Sequence, residues 1–333
     1  MEAILKGYRN EQQEIKYDTY QMSHMEFIEQ ELFNALSDSK GQVREMCRHI
    51  LSAGGKRIRP MLVLNSGLIF SERDKRLVQA AVAAELIHMA SLVHDDIIDN
   101  SDLRRNRPSI NKVWGSHFAV LCGDYLFARA FGIMSGNKMF ESLDLMVEAI
   151  ENMCHGEIIQ AADRYNPDVS IENYYTRIAM KTAIFLKNCC KCGAVISGAD
   201  EEQTQYIGEY GLNLGYAYQI IDDILDFCGN VNNMGKPNSE DLRQGTITLP
   251  IILLLNSEKH GAWLRELIVQ KKFSQENLEK IHHALIQTGI IDKCYNIAGS
   301  HIEKSKQSLE ALPQTQYTSF LYGMLDKLST RVS

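Results

Sequence analysis

The sequence predicts an all-α protein, a bundle of about ten or more helices. Three observations carry that expectation. Apolar residues recur at helical spacing along most of the chain. The six prolines, Pro60, Pro108, Pro167, Pro237, Pro250 and Pro313, leave long stretches free of helix breakers. β-Branched alternation bounded by turn residues is scarce.

The bulk numbers narrow the class further. The 333 residues are 45% apolar and 23% charged, as in an ordinary globular protein. No linker, repeat or low-complexity tract divides them. One domain over 1–333 is expected, with 1–25 as a loosely packed N-terminal extension. A net charge of −7 gives no basic field for nucleic acid. No run is read as matching the ~18 apolar residues of a membrane span. Met1 to Tyr20 is polar and lacks a signal-peptide core, so a cytoplasmic location is expected. Of eight cysteines only Cys189, Cys190 and Cys192 cluster. With no second cluster to complete a zinc site, they read as small buried residues.

In chain order, Glu26 to Phe33 and Val43 to Ser52 form two amphipathic helices. Ala53-Gly54-Gly55-Lys56-Arg57-Ile58-Arg59-Pro60 follows. Two glycines free the backbone, three cations suit a phosphate, and Pro60 suits the first turn of the next helix. Leu77 to Asp99 is apolar nearly all round and belongs in the interior. Glu85 and His88 are its only titratable residues before His94. It ends in Asp95-Asp96-Ile97-Ile98-Asp99. Asp95 and Asp99 share a helix face and repel unless a cation lies between them. Mg²⁺ fits, because it takes one or two carboxylates and completes its shell with water and phosphate. Arg104, Arg105 and Arg107 come next, as forks for phosphate oxygens or as partners that neutralise the acids.

Helices follow over His117 to Ser135, with Gly123-Asp124-Tyr125 inside, over Leu145 to Ala162 and over Ile171 to Ser197. Glu157 and Gln160 read as facing a polar cavity or as the wet side of their helix, with the cavity favoured; Lys181-Thr182 lies in the last of these helices. Glu201 to Phe227 carries Gly208, Gly211 and Gly215, which weaken a helix but allow close packing. It ends in Asp222-Asp223-Ile224-Leu225-Asp226, the same acidic pattern as before. Two copies, each after an apolar run, point to metal-assisted diphosphate binding. The polar stretch Val231 to Thr246 carries Lys236, Asp241 and Arg243, and reads as a loop over that site. Pro250 opens a further helix, and amphipathic helices complete the chain.

With these motifs in hand, the chain resembles the trans-polyprenyl diphosphate synthases. Asp95-Asp96-x-x-Asp99 and Asp222-Asp223-x-x-Asp226 are similar to that family's two aspartate-rich motifs. Gly54-Gly55-Lys56-Arg57-x-Arg59-Pro60, Arg104-Arg105, Gly156-Glu157, Lys181-Thr182, Gln219 and Gly235-Lys236 match in place and order. Two positions depart: Asn106 stands where many members have Gly, and Thr246-Ile247-Thr248 lacks a Lys common before Leu-Pro.

The resemblance implies a helical isoprenoid synthase bundle around a central cavity, with the acidic motifs facing each other across it. It implies a prenyltransferase that joins isopentenyl diphosphate, 1′-4, to an allylic diphosphate such as farnesyl diphosphate. The allylic diphosphate leaves, the isopentenyl double bond attacks the cation, and a proton is lost to the released diphosphate. By resemblance Asp95, Asp96, Asp99, Asp222, Asp223 and Asp226 hold about two to three Mg²⁺ ions. Lys56, Arg59, His88 and Arg105 hold isopentenyl diphosphate. Arg104, Lys181 and Lys236 hold the allylic diphosphate, with Thr182 and Gln219 beside them. Catalysis then falls to Asp95, Asp99, Asp222, Arg104, Lys181 and Lys236.

Product length is expected from the turn before the first motif. Short-chain members carry an aromatic residue at the position of Ala90; here Ala90, Ser91 and the deeper Ile87 leave room. A product of about six to eight isoprene units follows, heptaprenyl favoured, for menaquinone or another quinone. The wording around His88 to Asp96 and Asp241 to Gly245 is nearest the catalytic large subunits of bacterial hexaprenyl and heptaprenyl synthases. The partner is therefore a second copy or a small non-catalytic subunit, with peripheral membrane contact for product release. The alternatives are a geranylgeranyl synthase and, further off, a terpene cyclase. The intact second motif and the Lys56, Arg59 pair argue against the cyclase.

Overall fold

The computed structural model describes residues 25–71, 74–228 and 239–330. Sixteen α-helices run through them. They are α1 (25–36), α2 (Gly41–Ser52), α3 (Ile58–Leu68), α4 (Arg76–Ile98), α5 (Ile110–Trp114), α6 (Ser116–Gly136), α7 (Phe140–Ala162) and α8 (Ile171–Ile178). After a π-helical turn, Ala179–Ala183, come α9 (Ile184–Ile196), α10 (Glu201–Cys228), α11 (Glu240–Arg243) and α12 (Leu249–Leu255). The series ends with α13 (Gly261–Val269), α14 (Gln275–Gln287), α15 (Ile290–Glu310) and α16 (Gln316–Ser329). The only strands among the described residues are β1 (Leu103–Arg104) and β2 (Arg107–Pro108), paired antiparallel. The all-α expectation holds. The expected N-terminal extension lies outside the described residues, apart from Met25.

Contacts group the chain into two compact units. The first gathers the chain up to Val147 with Asn188–Ile207 and Leu312–Gly323. Its core is α4, packed most extensively on α6 and α3. Ala80, Ala81, Ala83 and Ala84 are fully buried, and such short side chains let neighbouring helices approach closely. Two helices, α4 and α6, have the length and apolarity of membrane spans, contrary to the sequence expectation. For α4 the apolarity is core: 67% of its apolar window is buried, against 33% for α6. Val120 and Leu121 on α6 and Phe140 at the start of α7 are exposed.

The second unit gathers Glu148–Lys187, Gly208–Ala311 and the chain from Met324. Its core includes Tyr174, Phe185, Tyr210, Ile220, Ile224 and Phe227, all with no exposed surface. Helix starts here follow local chemistry. Ser170 accepts a hydrogen bond from the Asn173 amide at 3.1 Å to cap α8, and Ser274 does the same for α14. Pro250 sits at the start of α12, where its missing N–H costs nothing. The stretch read as a polar loop contains α11, and its Leu242 and the Ile247 that follows it are fully buried. Cys189, Cys190 and Cys192 are free, buried thiols of α9, as expected. Burial pushes Cys190 and Cys192 up to about 12, which makes them inert.

Candidate active site

In the first unit, the glycine-rich turn is held by an ion triad with two buried members, Arg57 and Glu85. Arg57 takes a left-handed backbone at φ 48°. Its guanidinium donates to Glu85 at 2.7 Å and to both oxygens of Glu29, at 2.7 and 3.0 Å. Arg57 and Glu85 are almost wholly buried. Burial alone would lower the Arg57 pKa, but the two carboxylates together raise it. A buried pair of this kind is costly to break, because removing one partner strands the other charge. The triad fixes the backbone between Lys56 and Arg59. Sequence reasoning noticed Glu85 as odd in an apolar helix, and that oddity was the available signal.

Beyond α4, two residues turn the chain from β1 into β2. Arg105 at φ 51° and Asn106 at φ 61° both lie in the left-handed region, as a two-residue hairpin of type I′ requires. Asn106 fits that need, as its sequence suggested. Arg105 pays strain for its place. The hairpin is tied down where Arg107 donates to the Ser52 hydroxyl at 2.6 Å and where His49 bonds the Pro108 carbonyl. Its reward is position: a Cβ on Gly55 would lie 2.6 Å from the Arg105 guanidinium. Arg105 therefore lies directly over the glycine turn, and it lines one cleft with Arg57, Arg104 and Arg107.

His88 lies among these cations. Its pKa is held well below the usual value, first by burial and then by Arg59, Arg105, Arg104 and Arg57. It is a neutral imidazole in a positive pocket. That is where an anion is favoured.

The first acidic motif divides by exposure. Asp95 and Asp99 are partly exposed, whereas Asp96 is buried. Arg104 donates to one Asp96 oxygen twice, at 2.9 and 2.6 Å. The sequence counted Asp96 among metal ligands and Arg104 among diphosphate ligands. The structure pairs them with each other, the self-neutralising arrangement. His94, between the acids and α6, fits only because residue 123 is glycine: a Cβ there would meet its ring at 2.2 Å. Of the residues expected from the sequence to set product length, Ile87 and Ala90 have no exposed surface, and Ser91 donates its hydroxyl to the His88 carbonyl at 2.9 Å.

In the second unit, Lys181 and Thr182 sit on the π-helical turn, a wide turn in which the Ile184 amide bonds the Ala179 carbonyl five residues back. Lys181 is gripped by Glu157 at 2.5 Å and Gln160 at 2.9 Å, so these two residues do face a polar site. Thr182 donates to Gln219 at 3.0 Å. Gln219 in turn donates to Asp223 at 2.9 Å, and the Tyr174 hydroxyl donates to the other Asp223 oxygen at 2.7 Å. Asp226 accepts from the backbone amides of Glu240 and Asp241 at 3.0 and 3.2 Å, capping α11. Asp223 and Asp226 are thus engaged by protein donors, where the sequence expected metal. Asp222 is partly exposed beside them. Lys236 lies outside the described residues.

Charge is frustrated here. Burial raises Asp223 to about 7, with Asp241 adding repulsion and the Gln219 and Tyr174 hydrogen bonds opposing it. Burial also raises Asp241 to about 6, with Asp226 adding to it against Lys181 and Arg177. Asp241 was named in the sequence only as part of a loop. Nothing local marks it; it becomes a site residue through tertiary placement. Such carboxylates are eased by an added cation.

Known proteins share this architecture and its sequence. The polyprenyl synthetase family profile matches residues 40–285. The heptaprenyl diphosphate synthase component 2 of Geobacillus stearothermophilus is 37% identical over 294 residues, 88% of this chain and 91% of that protein. The component 2 of Bacillus subtilis is 36% identical over 307 residues, 92% and 88% of the two chains. The crystal structure of heptaprenyl diphosphate synthase from Staphylococcus aureus superposes with a TM-score of 0.86 at 32% identity, covering 94% of this chain and 99% of that one. The chain belongs to the polyprenyl synthetase family and is an enzyme that transfers prenyl groups.

Proposed function

We propose that this enzyme lengthens an allylic diphosphate, farnesyl diphosphate by preference, with successive units of isopentenyl diphosphate. The product is all-trans and medium to long, heptaprenyl favoured, and it supplies a quinone side chain such as that of menaquinone. The observation that carries the reading is the cationic cleft of the first unit, where Arg105 lies over Gly55 and a neutral His88 stands among the arginines.

Lys56, Arg59 and Arg105 bind the isopentenyl diphosphate by charge, and His88 hydrogen-bonds without adding to the positive load. Lys181, Thr182 and Gln219 grip the allylic diphosphate. Buried Ile87 and Ala90 on α4 are apolar and small enough to pass a prenyl tail and exclude water. The donor set fits Mg²⁺: Asp95, Asp99 and Asp222 are hard oxygen donors with part of their surface exposed. Among the described residues no three His, Cys, Asp or Glu side chains form a ready cage, and Mg²⁺ by habit takes the rest of its shell from phosphate and water. When bound, the ion neutralises the diphosphate as it leaves.

The relatives named component 2 support a two-part enzyme, and the exposed apolar face of α6 supports a second chain of either kind. A cytoplasmic enzyme with peripheral membrane contact at product release accords with this reading. The test is purified protein with Mg²⁺, farnesyl diphosphate and labelled isopentenyl diphosphate, with products sized by chromatography. Elongation to about seven units is expected, alone or with a component 1 subunit added. No elongation in either mixture overturns the proposal, and cyclic hydrocarbons alone turn it to a cyclase.

A further inference from the structure

We infer that Tyr174 is a positioning residue of this enzyme, acting through Asp223 and Gln219 to fix the turn that presents Lys181. The inference rests on the reading of the second unit as the grip for the allylic diphosphate.

The geometry is a closed brace. Tyr174 on α8 and Thr182 on the π-helical turn belong to one continuous helical run. The run widens at that turn, whose hydrogen bonds reach five residues back instead of four. Across the gap stand Gln219 and Asp223, four apart on α10 and therefore on one face. Tyr174 bonds one Asp223 oxygen, Gln219 bonds the other, and Thr182 bonds Gln219, at 2.7, 2.9 and 3.0 Å. Tyr174 is fully buried and Asp223 nearly so. A buried phenol and a buried carboxylate each need a partner, and here each satisfies the other.

Steric walls complete the device. A Cβ on Gly156 would lie 2.7 Å from Lys181 Cγ, and one on Gly215 would lie 2.4 Å from Ala183 Cα. The turn is clasped from α7 and α10 with no slack. The brace decides its height, and Glu157 with Gln160 then aims the ammonium. In this arrangement the Asp223 carboxylate is a strut, and metal ligation in the second motif falls to Asp222. The cation over the Tyr174 ring, Arg177 at 5.7 Å, bonds the Ile247 carbonyl and keeps the phenol edge fixed.

The test compares wild type with Tyr174→Phe, Asp223→Asn, Asp222→Asn and Tyr175→Phe. Tyr175 is the half-buried neighbour that packs on Tyr216 and His301 and touches no acid. The readouts are calorimetric binding of unreactive farnesyl S-thiolodiphosphate with Mg²⁺, the number of ions bound with it, the two KM values, and the melting temperature. For Tyr174→Phe the inference expects about a tenfold weaker analogue affinity, the size of one hydrogen bond to a charged group. KM for farnesyl diphosphate rises in step, while KM for isopentenyl diphosphate holds. Asp223→Asn keeps the wild-type ion count, and Asp222→Asn lowers it. Tyr175→Phe binds as wild type does. Undiminished binding by Tyr174→Phe overturns the inference. So does an equal rise in both KM values, an equal effect of Tyr175→Phe, or an ion lost in Asp223→Asn. Failure of wild type to bind the analogue with Mg²⁺ instead sinks the diphosphate reading itself, and the inference with it.

Discussion

On α15, the His301 ring lies against Tyr216, with centroids 4.9 Å apart, and against Tyr175 at 5.9 Å. Its Nδ1 bonds the Asn213 side-chain oxygen at 2.9 Å. Burial, with Lys304 adding to it, lowers its pKa from 6.5 to about 4. The folded protein therefore resists a proton that the unfolded chain accepts. Stability from this residue is complete above pH 6.5 and is lost as pH falls from there through about 4. The full loss is up to about 3 kcal/mol, from about 1.4 kcal/mol for each pKa unit. His301→Gln should lower stability at neutral pH by about 1–3 kcal/mol through lost packing and unmatched polar groups. It should also flatten the pH dependence between 4 and 6.5. Urea unfolding across that range measures both. A variant as steep as wild type would move the effect to another group.

Among the elements, the π-helical turn is the most tightly specified. Gly215→Ala places a methyl 2.4 Å from the Ala183 backbone, which a side-chain rotation cannot relieve. It should cost about 1–3 kcal/mol as overpacking and lower activity by displacing Lys181. Gly299, inside α15, is the contrasting case, since a Cβ there meets nothing within 4 Å. Gly299→Ala should stabilise by about 0.5–1 kcal/mol through helix propensity. Paired thermal melts settle both signs.

The contrast shows where sequence reading succeeds. The 3.6-residue periodicity located α4, α6 and α10 nearly to their ends, because a buried helix must carry apolar residues on its faces. The two acidic motifs and the cationic turn were legible because their chemistry is local. The brace was not: Tyr174 and Asp223 are 49 positions apart, and neither segment announces the other. The same holds for Arg57 with Glu29 and Glu85, each 28 positions away. That Asp96 pairs with Arg104 and Asp226 with the amides of Glu240 and Asp241 could not be read from motif spacing, which carries no information about which acids the protein itself will pair. The hairpin at Arg105 escaped notice because arginine is a rare choice for a left-handed position.

For the molecule as a whole, the unsettled question of partners has a physical handle in α6. That helix is as apolar as a membrane span yet only a third of its apolar window is buried. Val120 is 43% exposed, Leu121 50%, and Phe140 on the next helix 59%. Apolar exposure along a helix this apolar marks a surface that another molecule covers. A second copy is the simplest occupant, because closed two-fold dimers are the commonest oligomers. Leu121→Asp should then convert a dimer into a monomer, read by size exclusion with light scattering. The side chain is at the surface, so the monomer's circular dichroism should stay helical. A charge buried without a partner weakens a dimer by several kcal/mol, and the apparent dissociation constant should rise by at least a hundredfold, on the order of 3 kcal/mol. If wild type is a monomer and dimerises only with a component 1 subunit, the same substitution should abolish that pairing. If Leu121→Asp leaves every assembly intact, the α6 face is not the interface, and the second-copy reading of this surface fails.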